Sequence, residues 1–194
     1  MTDAGTVILG RADADGTAHQ KLQRHPGAVR FADPAVWATA LATLRALRET
    51  DLPWDGWSDE IGMITVSADG PRQVILQVAE GALAGFMSAL RFPAASPGTL
   101  AGFACILGRL RGPTLNLTLP PVQGVPVGWA QMGRWLEEGV IHAGILATCA
   151  YGMEGPVARC AVLARGPMTP EQGEARAEAM RWLAATPDVG SPPP

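Results

Sequence analysis

The sequence has few charged residues, no long hydrophobic run and no cluster of basic residues. Only 17% of its 194 residues are charged, and the 15 basic residues, almost all Arg, are scattered singly. A protein that grips a nucleic-acid backbone needs a basic stripe, so nucleic-acid binding is not favoured. The longest apolar run, near Ile145–Cys149, is far shorter than the ~20 residues of a membrane helix. No basic segment precedes the first apolar stretch as in a signal peptide, so we expect a cytoplasmic protein without a membrane partner.

Cysteine is also scarce, which bears on metal binding. Cys105, Cys149 and Cys160 form no CxxC pair, and no histidine lies near them in a ligand pattern. A structural zinc site needs four ligands, usually paired at short spacing, so we expect no metal site and no cofactor. All three thiols lie in apolar segments, which predicts small buried side chains in a reducing compartment.

Apolar residues are plentiful, and they follow a pattern of alternating strands and helices. Hydrophobic residues make up 47% of the chain, enough for a sizeable core in one domain. TVILG is typical of a strand, and Asp33 followed by Pro34 is typical of a helix start. The predicted order is β-α-β-α-α-β, a Pro/Gly-rich elbow, then α-β-β and a last helix. RQVILQVAEGALAGFMSAL predicts a helix of about five turns, PPVQGVP predicts the elbow, and the next helix is predicted to start at Gly128. This alternation predicts an α/β fold, and the apolar strands IGMITV and GILATCA predict a sheet covered on both faces.

The chain changes character near its C-terminal end. We predict one domain over residues 1–165, a C-terminal helical extension over 166–187 and a mobile tail over 188–194. The extension contains a surface-type helix that starts at Thr169. The tail, DVGSPPP, has the composition of a mobile chain end.

The segment RGPTLNLTLPPVQGVPVGWA predicts a strand, a sharp turn and a helix, an arrangement that nucleophile elbows use. Such a turn lifts a side chain above the sheet at a helix N-terminus. The nucleophile there would be Ser or Cys, but the turn from Leu119 to Gly124 carries neither. From the residues alone, a structural turn is therefore the favoured interpretation, with Gln123 as the one polar side chain that it projects.

Other candidate groups also have simpler structural interpretations. His142, in a predicted strand, is a candidate general base, but a lone histidine among apolar residues is more often structural. The acidic loop WDGWSDE is either a ligand rim or, more simply, a loop that packs two indole rings onto the domain. The glycines match neither a GxGxxG nor a Walker A pattern, so a phosphate cradle is not supported.

Several segments follow the order and spacing of a known family. They are DPAVWATALATLRAL, IGMITVSADGP, FPAASPGTLAGFACILGRLRGPTLNLTL, GVPVGWAQMGRWLEEGVIHAGILATCAYG and GPVARCAVLA. Together they resemble the N-terminal half of β-ketoacyl synthases of the thiolase superfamily, from an early helix and strand to the strands after the nucleophile. The match covers most of residues 30–165, so the domain over residues 1–165 resembles that half. The resemblance implies an α/β, thiolase-like fold, half of the five-layer fold, with a mixed sheet covered by helices.

Two departures from the family pattern bear on catalysis. The family's catalytic Cys falls at Pro121 or at Val122, depending on the direction of counting, and neither side chain can form a thioester. The chain also stops where the family's C-terminal half, with its two catalytic His residues, should begin. Condensation needs the thiolate and the histidines, so we expect no enzyme. The resemblance is then closest to chain-length factors, which lack the Cys and often carry Gln near its place.

The resemblance implies a non-catalytic, chain-length-factor-like subunit of a type II polyketide or fatty-acid-type synthase, of which the aryl polyene systems have half-length versions. The implied partners are a full-length ketosynthase in a heterodimer, or a second copy in a homodimer, with an acyl carrier protein engaged only indirectly. Pro121, Val122 and Gln123 mark the nucleophile-elbow position, where they would border the interface and the partner's acyl tunnel. A half-fold would also leave an apolar face uncovered. The alternatives are a stand-alone small-ligand-binding or scaffold protein and, less favoured, an enzyme that uses His142 or Cys149.

Overall fold

The computed structural model describes residues 4–16, 32–53, 59–86, 88–89 and 91–185. Within these ranges, strands and helices follow one another in the order that the sequence predicts. The elements are β1 (Ala4–Asp15), α1 (Pro34–Arg48), β2 (Ile61–Val66), α2 (Arg72–Leu83), α3 (Thr99–Gly108), β3 (Thr114–Leu117), α4 (Pro121–Glu137), β4 (Ala143–Gly152), β5 (Gly155–Pro167) and α5 (Pro170–Ala184), with a 3-10 turn at Pro93–Ala95 before α3.

The strands form one mixed sheet in the order β1-β5-β4-β2-β3. β2 pairs in parallel with β3 and with β4, whereas β5 pairs antiparallel with β4 and with β1. Parallel strands need a crossover connection. α2 and α3 supply it between β2 and β3, and α4 supplies it between β3 and β4. The two edges of this sheet are β1 and β3.

Helices cover both faces of the sheet, as the apolar strands predict. α1 and α3 share a buried core with one face, and α4 and α5 share a second core with the other. Alternate residues of β2 divide between the two cores, since Met63 faces α1 and α3 whereas Ile64 and Val66 face α4. Every residue of β2 is buried. The result is a three-layer α/β arrangement.

α1 begins where the sequence predicts. Asp33 is its N-cap and Pro34 occupies the first helical position. Small side chains dominate the buried face, so the helix lies close to the sheet and to α3. The ring of Trp37 meets the ring of Phe103 of α3 edge-on, with 4.8 Å between centroids.

The ends of β1 and α2 differ from the sequence-based prediction. β1 does not end at Gly10 but runs to Asp15, because its antiparallel ladder with β5 continues through a bulge. The predicted helix of about five turns after β2 is shorter, because α2 stops at Leu83 and Gly85 follows with a φ of +78°. The predicted tail over residues 188–194 lies outside the described residues.

α5 packs on the α4 side of the sheet. Its N-terminus carries a full capping box at Thr169, and its buried residues are Ala179 and Leu183. Near its C-terminus, the Arg159 guanidinium donates to the Trp182 carbonyl at 2.9 Å and also to the carbonyl of residue 185. The same guanidinium lies 5.8 Å from the centre of the Trp182 ring. These contacts join α5 to β5.

Candidate functional site

The connection from β3 to α4 lies where the sequence predicts the elbow. α4 begins at Pro121, with Pro120 as its N-cap in an extended conformation. The backbone amides of Gln123 and Gly124 both donate to the Pro120 carbonyl, each at 2.9 Å. Because Pro120 and Pro121 have no amide hydrogen, four of the five residues from 120 to 124 offer no free backbone donor to an oxyanion.

The first turn of α4 holds the three residues that mark the nucleophile-elbow position in the sequence. Pro121 is buried, whereas Val122 is 63% exposed and Gln123 is also exposed. None of these side chains carries a thiol or a hydroxyl group, so none supplies a nucleophile for acyl transfer. This turn presents one branched apolar side chain and one uncharged hydrogen-bonding group to solvent.

The structure corrects the prediction that PPVQGVP is a turn and that the helix starts near Gly128, because α4 already begins at Pro121. Proline is tolerated in a first helical turn, where the amide has no partner within the helix. Glycine lets this helix approach the sheet closely. A Cβ on Gly124 would overlap the side chain of Val66, and a Cβ on Gly128 would lie 2.8 Å from Leu146 Cδ1. Gly124, which indicates a turn in the sequence, therefore serves helix–sheet packing, whereas Pro126 lies inside the helix.

β3 lies beside this turn, at the edge of the sheet. It pairs with β2 on one side, and among the described residues no strand pairs with its other side. Thr65 Oγ1 of β2 donates to Asn116 Oδ1 of β3 at 2.6 Å, which ties the two strands together. An open strand edge presents backbone donors and acceptors to a further strand. Because only residues 118–120 separate β3 from α4, this open edge and the first turn of α4 are adjacent.

Similar proteins are found among solved structures, whereas no family model and no curated protein matches the sequence. The chain is similar to the ishigamide ketosynthase/chain length factor, with 14% identity and a TM-score of 0.62. It is similar to a chain in the complex of the ketosynthase ApeO with its chain length factor ApeC from Xenorhabdus doucetiae, with 11% identity and a TM-score of 0.61. It is also similar to a β-ketoacyl synthase from Burkholderia phymatum STM815, with 13% identity and a TM-score of 0.67. The chain has the ketosynthase-like thiolase fold.

The aligned region covers most of this chain but differs in its share of each neighbour. It covers 82% of this chain and 62% of the ishigamide chain, and 91% of this chain and 61% of the Burkholderia synthase. In the ApeO–ApeC complex it covers 93% of this chain and 92% of the other. The α/β, thiolase-like fold that the sequence predicts is thus confirmed, and this chain spans less than two thirds of two of these neighbours.

An apolar surface on α2 is a second feature of this ketosynthase-like chain. Val74 is the one buried residue of that helix. The exposed apolar side chains of α2 and of the turns that follow it are here called the α2 apolar surface, namely Ile75, Leu76, Leu83, Phe86 and Phe92. Leu83 is 91% exposed, Phe86 69% and Phe92 60%. The half-fold resemblance predicts an uncovered apolar face but not its place. The sequence signal is that VILQVAEGAL has only two polar side chains, Gln77 and Glu80, so its apolar residues extend beyond one face of the helix.

The cysteines and His142 take no part in the elbow. Cys149 and Cys160 belong to the core on the α1 and α3 side of the sheet, and burial raises the pKa of each thiol to about 12. Cys105 packs against the same core, and burial raises the pKa of its thiol to about 11. The sequence predicts His142 in a strand, but β4 begins one residue later, and His142 Nδ1 lies 2.6 Å from Glu60 Oε2 at the surface. The three thiols are thus buried or half-buried and protonated at neutral pH.

Two further properties of the described residues concern metal binding and membrane crossing. Within the described ranges, no group of three or more His, Cys, Asp or Glu side chains is placed to hold a metal ion. In the same part of the chain, no helix combines the length and hydrophobicity that crossing a bilayer requires.

Residues 54–58 of the acidic loop WDGWSDE lie outside the described ranges. Its last two residues make surface contacts, Asp59 an ion pair with Arg111 at 3.8 Å and Glu60 a contact with the ring of His142.

Proposed function

We propose that this chain is a non-catalytic, chain-length-factor-like subunit of a type II polyketide or fatty-acid-type synthase that pairs with a catalytic ketosynthase. The first turn of α4 is the observation that carries the proposal. Pro121, Val122 and Gln123 occupy the position that corresponds, by sequence, to the nucleophile of the resembled family. A fold of the condensing-enzyme type with an inert, partly apolar turn at this position suits a subunit that shapes a partner's substrate channel.

The similar structures support a paired role. Two of them, the ishigamide protein and the ApeO–ApeC complex, are described as a ketosynthase together with a chain length factor. In the ApeO–ApeC complex, 92% of the matched chain is covered, so that chain and this one have nearly the same extent. A subunit of the aryl polyene type, which the sequence resemblance implies, is therefore the version that we favour. An acyl carrier protein would be engaged through the ketosynthase.

Two features of the molecule suit pairing with another subunit. The open edge of β3 can accept a further strand, and the α2 apolar surface can be buried by a partner. The 3-10 turn Pro93–Ala95 packs against α2, and a Cβ on Gly98 would lie 3.8 Å from the side-chain nitrogen of Asn116 in β3. The segment between α2 and α3 thus links the apolar surface to the strand edge. Obligate interfaces bury ~2,000 Å² or more, which requires such a combination of features.

Val122 is the residue that tests the tunnel role. In the proposed complex its side chain forms part of the wall of the partner's acyl tunnel, so Val122→Phe shortens the tunnel and the products. The matched control is Val140→Phe, because Val140 is 48% exposed and follows the opposite end of α4. The length of this helix separates the two sites by about 25 Å at 1.5 Å per residue.

The experiment combines the chain with a catalytic ketosynthase and an acyl carrier protein of a type II synthase and compares product lengths. We expect Val122→Phe to give shorter products at unchanged subunit affinity, and Val140→Phe to give wild-type products. Unchanged product length with an intact complex would show that Val122 does not line the tunnel. A monomer at micromolar concentration that binds no ketosynthase would contradict the paired role. Acylation of a cysteine in this chain, abolished by its change to Ala, would contradict the non-catalytic role.

A second candidate function is the binding of a small ligand, which a cleft between α4, α5 and β1 favours. The cleft has a volume of about 390 Å³ and is lined by Thr6, Trp129, Arg134 and Arg176, among others. The Trp129 indole N–H is buried and has no acceptor among the described residues. Arg176 lies over the same ring, 5.7 Å from its centre. Titration with acetate and inorganic phosphate, followed by tryptophan fluorescence with Trp129→Phe as the control, tests this function; a flat titration would contradict it.

A further inference from the structure

One buried carboxylate joins three elements of the fold. Asp33 is 0% exposed. Its Oδ1 accepts a hydrogen bond from the Ala35 amide at 2.8 Å and another from the Tyr151 hydroxyl at 2.7 Å. Its Oδ2 accepts from the Val74 amide at 3.0 Å. Since Ala35 belongs to α1, Val74 to α2 and Tyr151 to β4, this single side chain ties two helices and a strand together.

Asp33 serves as a cap for both helices. It is the sequential N-cap of α1, and Val74 is the third residue of α2, whose own N-cap, Pro71, makes no side-chain cap bond. The amide groups at a helix N-terminus lack partners within the helix and carry partial positive charge. A buried carboxylate is costly unless it is hydrogen-bonded, and here two such termini and one hydroxyl group supply the bonds. Burial and the hydrogen bond to Asp33 raise the pKa of Tyr151, so its hydroxyl group remains a donor.

α2 has few other attachments to the rest of the domain. Val74 is its one buried residue. At its N-terminus, the Arg72 guanidinium lies 5.7 Å from the centre of the Tyr151 ring. In its middle, Arg91 Nη1 donates to Gln77 Oε1 at 3.3 Å at the exposed surface. In the described structure, two polar contacts therefore hold the N-terminus of this helix, the bond from the Val74 amide to Asp33 and the hydrogen bond of the Gln73 backbone with Tyr151.

We propose that Asp33 is a positioning residue that holds α2, and with it the α2 apolar surface, in a fixed place against the sheet. The positioning of α2 stands independently of the proposed function. Its consequence for binding a ketosynthase rests on that function. A helix with one buried residue has little apolar packing to fix its orientation, so a directional bond at its N-terminus sets the orientation of its exposed face.

Three variants separate this role from a general contribution to stability. Asp33→Ser keeps a good N-cap on α1, because serine caps as well as aspartate, but its short side chain reaches neither Val74 nor Tyr151. Asp33→Asn keeps the shape of the side chain but turns an N–H group towards one of the donors. Tyr151→Phe removes the donor to Asp33 and also the hydrogen bond of this hydroxyl group with the Gln73 backbone, but it leaves both caps in place. It is the control for the loss of the tyrosine hydroxyl group at this site.

Hydrogen exchange of single amides, measured by NMR on the whole chain, tests the positioning. In Asp33→Ser we expect the amides of α2 to exchange at least about tenfold faster, the effect of losing a charge-assisted hydrogen bond, while α3 and α4 keep wild-type rates. Asp33→Asn should show the same pattern and provides the test if the serine variant fails to fold. In Tyr151→Phe the α2 amides should change less. Unchanged exchange in α2, or equal acceleration in all helices, would overturn the proposal.

A second measurement addresses binding. If the proposed function holds, Asp33→Ser should bind the partner ketosynthase at least about tenfold more weakly than wild type, whereas Tyr151→Phe should bind with nearly wild-type affinity. Faster exchange in α2 with unchanged affinity would overturn the link between Asp33 and docking. If wild-type protein itself binds no ketosynthase, the proposed function fails, and the exchange data still decide whether Asp33 positions α2.

Discussion

Gly124→Ala tests how closely α4 packs on the sheet beside its first turn. At an open position within a helix, a change from Gly to Ala stabilises by ~1 kcal/mol, because Ala loses less conformational freedom on folding. At Gly124 the new Cβ would overlap the Val66 side chain and lie 3.3 Å from Leu119 Cβ. Val66 is fully buried and β-branched, so it cannot turn away without displacing its neighbours. Overpacking costs ~1–3 kcal/mol, and so direct an overlap belongs at the upper end. The expected net loss is about 2 kcal/mol.

The matched control is Gly102→Ala in α3, where a Cβ would meet no described atom within 4 Å. We expect this control to gain ~1 kcal/mol, so the two variants should differ by about 3 kcal/mol. Urea unfolding at 25 °C, followed by circular dichroism and tryptophan fluorescence, measures the difference, and equal m-values would confirm that both variants unfold from comparable native states. If Gly124→Ala proves as stable as Gly102→Ala, α4 does not approach β2 as closely as described.

Three other expectations concern the thiols and α5. In the native protein at pH 8, a thiol reagent should modify Cys105 slowly. The labelling rate should rise about tenfold per pH unit up to the pKa of about 11, because only the thiolate reacts. Rapid labelling of Cys149 or Cys160 would contradict the burial of the thiols. The raised pKa values of these two thiols mean that the folded chain binds more protons than the unfolded one. The unfolding free energy should therefore fall above about pH 9, by at most ~1.4 kcal/mol per pH unit for each thiol, and a double change to Ala should reduce that slope in urea unfolding. Thr169→Ala should lower the unfolding free energy by ~1 kcal/mol in the same assay, because Thr169 Oγ1 accepts a hydrogen bond from the Gln172 amide at 3.3 Å. An unchanged unfolding midpoint would show that the capping box does not contribute to stability.

The order of the elements could be predicted because each element carries a local signal. Asp33 and Pro34 mark the start of α1, and Thr169 marks the start of α5. The buried strands β2 and β4 are continuous apolar runs, which lie in the middle of a covered sheet. Such signals involve neighbours in sequence and need no knowledge of the fold. The resemblance to ketosynthases extends this order to a topology.

Element lengths and long-range contacts could not be predicted in the same way. β1 extends to Asp15 only because β5 pairs with it, and the partner lies more than 140 residues away. The start of α4 at Pro121 depends on glycines that fit Val66 and Leu146, which are remote in sequence. In the second helix that Asp33 caps, the bonded amide of Val74 lies 41 residues after Asp33, and a cap pattern detects only the first helix. In each case the deciding partner is distant along the chain.

The candidate site shows how few residues separate a reactive helix N-terminus from an inert one. A free helix N-terminus attracts anions through its amide groups and its dipole. In α4, two prolines remove amide hydrogens, the amides of Gln123 and Gly124 bond to the Pro120 carbonyl, and no acidic residue occupies the first turn. The dipole remains, but Val122 covers this end with hydrocarbon rather than with a group that a thioester could use. The backbone follows the ketosynthase-like fold, so the proposed role in the wall of a partner's channel depends on the exposed side chains of this turn and not on a nucleophile.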